Sequence, residues 1–522
     1  MLDCHQDVFH LAERLAENCR RRGGNGFPFI SSFLSSLSYF RKNPDHLLCR
    51  MENDGKSSCI ISLIKGRPAA DRNTVLLLGH VPHPPSVPGP DARAEGRREE
   101  KATYTHIFCG LAGQLYLMDH YAARAGEFPG NLCTVLYCGG TDRPERFLDI
   151  ISSLHELKKK FGLEYAGAIH MDFDLPFGEG DHSRRVYTGT AGSLVPSFFI
   201  VGARKSLPVL YELLDPHFIA AHLIRQIHGN PTLTAVPDGE ISFPPRILRY
   251  YPFEQTPDEP VKMALVQFQM YPGSRKPEDV LYQLKKEATV AARQALTDLE
   301  KRHRRFCRIA GIPYKGDPLF MQILTFEELN DDLENKYGFQ YIREIRKRKG
   351  KPHAPGTDPT HCLVQIMKEV WKWADRPHPA ILLGFSPYYF PAYTLTGKNR
   401  KEKILMKALT AAITEVQPFC PEPIQIRHFY PNTSLMNYFA LSGADDEDGF
   451  ETVIHNQPGW GTDHYVDMEK VRDLDVPIIH IGPCTEFKGV EKKRDVDYSY
   501  EILPNLIKSV IDHLLECSSE WK

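Results

Sequence analysis

The sequence predicts an α/β protein whose mostly parallel central sheet is flanked by helices and interrupted by an inserted α+β domain. Three observations predict it. Apolar runs of strand length alternate with segments of helical period along the first third of the chain, the pattern changes character at Val186, and the first pattern returns near His361. With 522 residues, 42% of them apolar and 25% charged, the chain is long enough for one large domain carrying an insertion.

In the first stretch, SCIISLIKG and NTVLLLGH read as strands, because unbroken aliphatic runs suit a strand covered on both faces. IFCGLAGQLYLMDHYAARAG follows with helical period, NLCTVLYCGG is the next strand, ERFLDIISSLHELKKKFG an amphipathic helix and YAGAIHMDFD another strand. Between Gly89 and Ala102, PDARAEGRREEKA has no apolar period and reads as a solvated loop. VYTGTAGSLVPSFFIVG then reads as a strand with turn-forming Gly189 and Gly192, FIAAHLIRQIHG as a helix, VKMALVQFQMYP as a strand, and PEDVLYQLKKEATVAARQALTDLEKRHRRF as a long helix. Together these have the size of an inserted domain. Alternation resumes with the helix HCLVQIMKEVWKWA, the strand PAILLGFS, the helix EKILMKALTAAITEV, the strands IQIRHFY and VPIIHIGPC, and the closing helix YEILPNLIKSVIDHLLEC. The expected division is a discontinuous α/β domain over 1–186 and 306–522, with the insertion over 187–305.

A formal net charge of -2, with Lys and Arg spread along the chain, predicts neither nucleic acid nor an anionic membrane surface as a partner. The apolar runs are shorter than the roughly 20 residues that span a bilayer, and MLDCHQDVFHLAERL is acidic and amphipathic, so no transmembrane helix or signal peptide is expected. Twelve scattered cysteines without a Cys-x-x-Cys pair fit a reducing cytoplasm.

Several short motifs read as structure before chemistry. TGTAG at 188–192 lacks the Lys-Ser or Lys-Thr end of a phosphate loop and reads as turn geometry. Cys138 in CGG sits at a strand end, where a buried structural thiol is the plainer reading than a nucleophile. IREIRKRKGKPH at 342–353 reads as an exposed helix end, and Trp460, Asp463 and His464 in GWGTDHY as a loop that lines a cleft or the surface.

The segments YFRKNPDHL, NTVLLLGH, LEYAGAI, VYTGTAGSLVPSFFIVG, RHFYPNTSLMNYFAL, VPIIHIGP and YSYEILPNLIKSVIDHLL, in that order, resemble the RocB arginine-utilisation family. That family belongs to the aminoacylase and succinyl-diaminopimelate desuccinylase superfamily of co-catalytic zinc peptidases. The resemblance runs nearly the whole chain and implies a zinc-peptidase α/β domain interrupted by a lid that often forms the dimer interface. It also implies two zinc ions held by a strand-end His, a bridging Asp, a Glu, a second acidic residue and a late His, with an adjacent Glu as general base. Two close divalent ions need several carboxylates to offset their repulsion.

Aligned on these segments, His80 and Asp172 are the surviving ligands. Pro82 stands where the family's orienting Asp falls, His106 at the bridging Asp, and Gly139 and Gly140 at the Glu-Glu pair. The lid His falls at Lys205 or Ser206, and the late His falls in TEFKGVEKK, which has none. Two ligands without a base do not make a di-zinc hydrolase, so no cofactor is expected.

His80 and Asp172 then read as a hydrogen-bonded pair. The alternative is one zinc held by His80, His106 and Asp172, with His83 or His170 as further ligands and Asp142 or Glu145 as a substitute base. The expected role is a pseudoenzyme or a binder of an amino-acid-like or peptide-like ligand in the cleft; the alternatives are a single-metal amide hydrolase and a structural or regulatory subunit that dimerises through the lid. A homodimer through the lid would need an unpaired strand edge, for which VKMALVQF is the candidate.

Overall fold

The computed structural model describes residues 1–21, 25–51, 57–67, 72–81, 107–138, 145–174, 183–202, 214–236, 240–253, 263–316, 320–349, 359–374, 378–441, 446–461, 467–483 and 496–517. Their strands are β1 (Leu47–Met51), β2 (Ser57–Lys65), β3 (Asn73–His80), β4 (Asn131–Tyr137), β5 (Glu164–Met171), β6 (Arg184–Tyr187), β7 (Gly189–Thr190), β8 (Ser193–Val201), β9 (Arg246–Pro252), β10 (Met263–Gln269), β11 (Gln322–Thr325), β12 (Ala380–Phe390), β13 (Tyr393–Thr394), β14 (Ile424–Arg427) and β15 (Ile478–Ile481).

Eight of them form one sheet in the order β1-β2-β4-β3-β5-β15-β6-β14. Its centre is parallel: β4 with β3, β3 with β5, and β5 with β15. The reason is legible in β3 and β4, which are buried along their length apart from His80 at the end of β3. Helices cover both faces. His5–Arg21, Cys109–Ala123, Arg400–Val416 and Leu503–Glu516 pack on one side, where a Cβ at Gly167 would meet Leu405 and Leu514. The amphipathic helix Glu145–Phe161 covers the other, with Phe147 against Tyr137. The expected α/β architecture, a large mostly parallel sheet between helices, is the one observed.

The second sheet has the order β11-β12-β8-β10-β9. Helices Pro216–Ile227 and Pro277–Ala310 bury one of its faces, with Phe198, Ile200, Val266 and Leu383 in that core. Helices Phe326–Tyr337, Phe339–Lys349 and Pro359–Ala374 bury the other, over Phe199, Leu265 and Leu382.

Two sequence expectations differ here. The segment VYTGTAGSLVPSFFIVG is not one strand: β6 stays in the large sheet, β7 pairs with β13, and β8 enters the second sheet. PAILLGFS does not return the chain to the large sheet at residue 306 and beyond, because it forms β12 beside β8, and β11 joins it. Strands β8 and β12 are both covered on two faces, so their apolar runs carry no sign of which sheet they join.

The crossing between the sheets is tight. A Cβ at Gly189 would lie 2.4 Å from the Tyr393 carbonyl oxygen, and Gly192 takes φ +68 with a Cβ position 2.7 Å from the Ala392 nitrogen. Glycine is required at both, one for close approach and one for the left-handed backbone. The turn reading of TGTAG agrees with this geometry.

Candidate ligand site at the carboxyl edge of the large sheet

Strand register decides which side chains meet at this edge. His80 sits opposite Tyr137 across β3 and β4, His480 opposite His170 across β15 and β5, and His480 opposite Tyr187 across β15 and β6. Because partners in register share a face, these residues form a row across five strands on the side covered by Glu145–Phe161.

The row is hydrogen-bonded within itself. Tyr137 Oη lies 2.7 Å from His170 Nε2, and His170 Nδ1 lies 3.2 Å from His480 Nδ1. The Tyr430 ring stacks on His480 at 4.4 Å, and its hydroxyl donates to the Phe173 carbonyl at 3.0 Å. Both imidazoles are fully buried, and desolvation is the main cause that pushes their pKa down, His170 to about 3 and His480 to about 4. The pair lowers itself further, since the charge of His480 also opposes that of His170. Burial likewise drives the Tyr137 and Tyr430 phenols well above their usual range.

Two neutral rings joined through Nδ1 leave one proton between them, so one Nδ1 donates and the other accepts. Either way His480 Nε2 is left over, and it finds no hydrogen-bond partner among the described residues. An unmade hydrogen bond on a buried nitrogen costs about 1–3 kcal/mol, which a ligand or an ordered water at this atom would recover.

Beside the row stands a second buried unit. Asp174 accepts from Arg185 Nη1 at 3.0 Å and from the Tyr187 hydroxyl at 2.6 Å. Asp174 and Arg185 are each about 1% exposed, so this carboxylate is already neutralised.

The expected site residues fall as follows. His80 lies at the end of β3, half-buried, with its ring 5.6 Å from that of Tyr137. Asp172 is half-buried just past β5, and its Oδ1 accepts from the Phe173 N–H at 2.8 Å. The expected hydrogen bond between His80 and Asp172 is not made; no described hydrogen bond or ion pair joins them. Asp172 follows β5, which ends at Met171. The ends of β5 and β15 come close: a Cβ at Gly482, just beyond β15, would lie 1.4 Å from the Asp172 carbonyl oxygen.

Pro82, His83, His106, Gly139, Gly140, Asp142, Lys205, Ser206, Asp463, His464 and the TEFKGVEKK segment lie outside the described residues. Glu145 opens the helix Glu145–Phe161. Cys138 is half-buried at the end of β4, and Trp460 packs edge-on against Phe450 at 5.2 Å. Among the described residues no group of three His, Cys, Asp or Glu side chains comes together to hold a metal ion. The described part of this edge offers the imidazoles of His80, His170 and His480, the phenols of Tyr137 and Tyr430, and the Asp172 carboxylate. Residue reasoning missed His480 and the tyrosines around it; the one polar side chain inside the apolar run VPIIHIG was its signal.

The chain is 25% identical over 548 residues to the protein RocB of Bacillus subtilis (strain 168), covering 94% of this chain and 91% of that protein. The chain is thus RocB-like along nearly its whole length. The RocB-like chain is also 22% identical over 534 residues to the uncharacterized protein YqjN of the same strain, covering 94% and 92%. No family model matches it. Among solved structures it is similar to the dipeptidase Dug1p from Saccharomyces cerevisiae, at 10% identity and TM-score 0.44, covering 98% of this chain and 95% of that one. It is likewise similar to the Bacillus subtilis YXEP protein, described as a dinuclear metal binding peptidase from the M20 family, at 11% identity and TM-score 0.40, covering 96% and 98%.

Proposed function

We propose that this RocB-like chain uses the carboxyl edge of its large sheet to bind an amino-acid-like or peptide-like ligand, without di-zinc hydrolysis. The observation that supports this reading is His480 Nε2, a buried nitrogen beside the Asp172 and Phe173 backbone that makes no hydrogen bond of full geometry among the described residues, at the end of a hydrogen-bonded row. Half-buried Asp172 beside it supplies a carboxylate for a ligand ammonium group. Gly139 and Gly140 stand where the superfamily has its Glu-Glu pair, and a glycine can neither coordinate nor take a proton.

Metal analysis and thermal stabilisation of the purified, chelator-free protein test this together. The expected result is substoichiometric zinc, with amino-acid amides raising the melting temperature. Ligand at about 100 times its Kd stabilises by about 2.7 kcal/mol. Asp172→Asn and His480→Phe should each remove most of that rise. One equivalent of zinc that is lost in His80→Ala, Asp172→Ala, together with amide hydrolysis, would replace this reading with the single-metal hydrolase of His80, His106 and Asp172.

The homodimer through the smaller sheet belongs to the same proposal, on a different strand from the one the sequence suggested. VKMALVQF contains β10, which is paired on both sides, by β8 and by β9. The edge is β9, whose Leu248, Tyr250 and Tyr251 are 49%, 39% and 43% exposed. An apolar edge strand of this kind is a template for pairing. Light scattering on the native protein should give a dimer, and Leu248→Lys with Tyr251→Lys a monomer. A native monomer at high concentration would end this part of the proposal.

A further inference from the structure

The helix Pro277–Ala310 runs for 34 residues, far longer than the sheet it covers needs. Its buried residues stop at Ala295, except for Cys307 close to its end. From Lys301 to Lys315 the chain carries six cations and no carboxylate. The near-zero total charge that argued against an anionic surface is an average, and this tip departs from it.

The tip is built rather than frayed. Gly311 closes the helix at φ 66, its N–H bonding back to the Arg308 and Cys307 carbonyls. The turn then folds Tyr314 onto the helix, with its ring 4.9 Å from that of His303 and 4.3 Å from the Arg304 guanidinium carbon. With that side covered, the opposite one shows Phe306 at 45% exposure, Ile309 at 78% and Ile312 at 51%. Arg305 and Arg308 flank them, both exposed.

We infer that this helix tip docks on an anionic phospholipid surface. Large apolar side chains ringed by cations are what an interfacial membrane contact uses: the apolar groups enter the headgroup boundary while the cations meet the lipid phosphates and carboxylates. A second copy of this chain that meets this one tip to tip brings the same cations and is repelled. Binding to a nucleic-acid backbone uses the cations but leaves Phe306, Ile309 and Ile312 without a role. The contact is peripheral, and no helix among the described residues is long and apolar enough to cross a membrane.

Co-flotation of the full-length protein with vesicles tests this. Phosphatidylcholine vesicles with about 30% phosphatidylserine should retain at least about tenfold more protein than phosphatidylcholine alone, and about 1 M salt should release it. Arg305→Glu with Arg308→Glu, and separately Phe306→Ser with Ile309→Ser, should each lower retention about tenfold while the circular dichroism spectrum stays unchanged. Equal retention on both vesicle types, or none on either, overturns the inference. So does loss with the charge variant but native retention with the apolar variant, which would mark a general polyanion site. A shift in oligomeric state in either variant would assign the tip to a second copy and overturn it as well.

Discussion

Acidification from near pH 7 to near pH 5 is expected to destabilise this protein steeply, because of two histidines. Burial holds His170 and His480 neutral in the folded chain, with pKa values down to about 3 and about 4 from an ordinary 6.5. Unfolding frees both to take protons at the ordinary value. Below it the unfolded state binds two more protons than the folded state, so stability falls with falling pH by about 2.7 kcal/mol per pH unit. The loss continues until the folded rings themselves titrate. Urea unfolding at several pH values measures the slope, and His480→Gln should remove about half of it. A variant slope equal to the native one would show that other groups set the acid response.

The second large effect concerns Asp174. Its carboxylate accepts from buried Arg185, which also donates to Ser183 Oγ, and from the Tyr187 hydroxyl. Asp174→Ala should cost about 3–5 kcal/mol, since it removes the carboxylate that offsets a buried guanidinium charge. Replacing both partners, as Asp174→Leu with Arg185→Met, should recover most of that loss, because a buried ion pair gains little net energy over apolar packing of similar volume. About 1 kcal/mol should remain missing for the hydrogen bond of Tyr187. Chemical denaturation of the single and double variants decides this, and a double variant as unstable as the single one would assign the cost to packing.

The large sheet was legible because its strands carry their burial in their composition: NTVLLLG has no polar residue past Thr74, and β3 is buried up to Gly79. The same property hid the second sheet. PAILLGFS shows equally unbroken apolar character, and its pairing with β8 depends on the position of a strand nearly 200 residues earlier. His80 was legible as the polar end of an apolar strand. The row around it was not, since Tyr137, Tyr187 and Tyr430 read as core aromatics until register sets them beside His170 and His480. Asp172 was found, but the hydrogen bond expected with His80 is not made, its Oδ1 accepting from the Phe173 N–H instead.

The crossing at Gly189 and Gly192 bears on the order in which the protein assembles. Thr190 on the way into the smaller sheet pairs with Tyr393 on the way out, about 200 residues later. Bringing β6 beside β14 across so long an open chain costs more loop entropy than a short turn, by roughly 2 to 3 kcal/mol. Once the intervening segment has folded, its two ends are already neighbours and that cost has been met by its own contacts. A nascent chain that folds its middle first therefore meets the closure of its outer sheet as a short-range pairing, and the long detour in sequence adds little to the search.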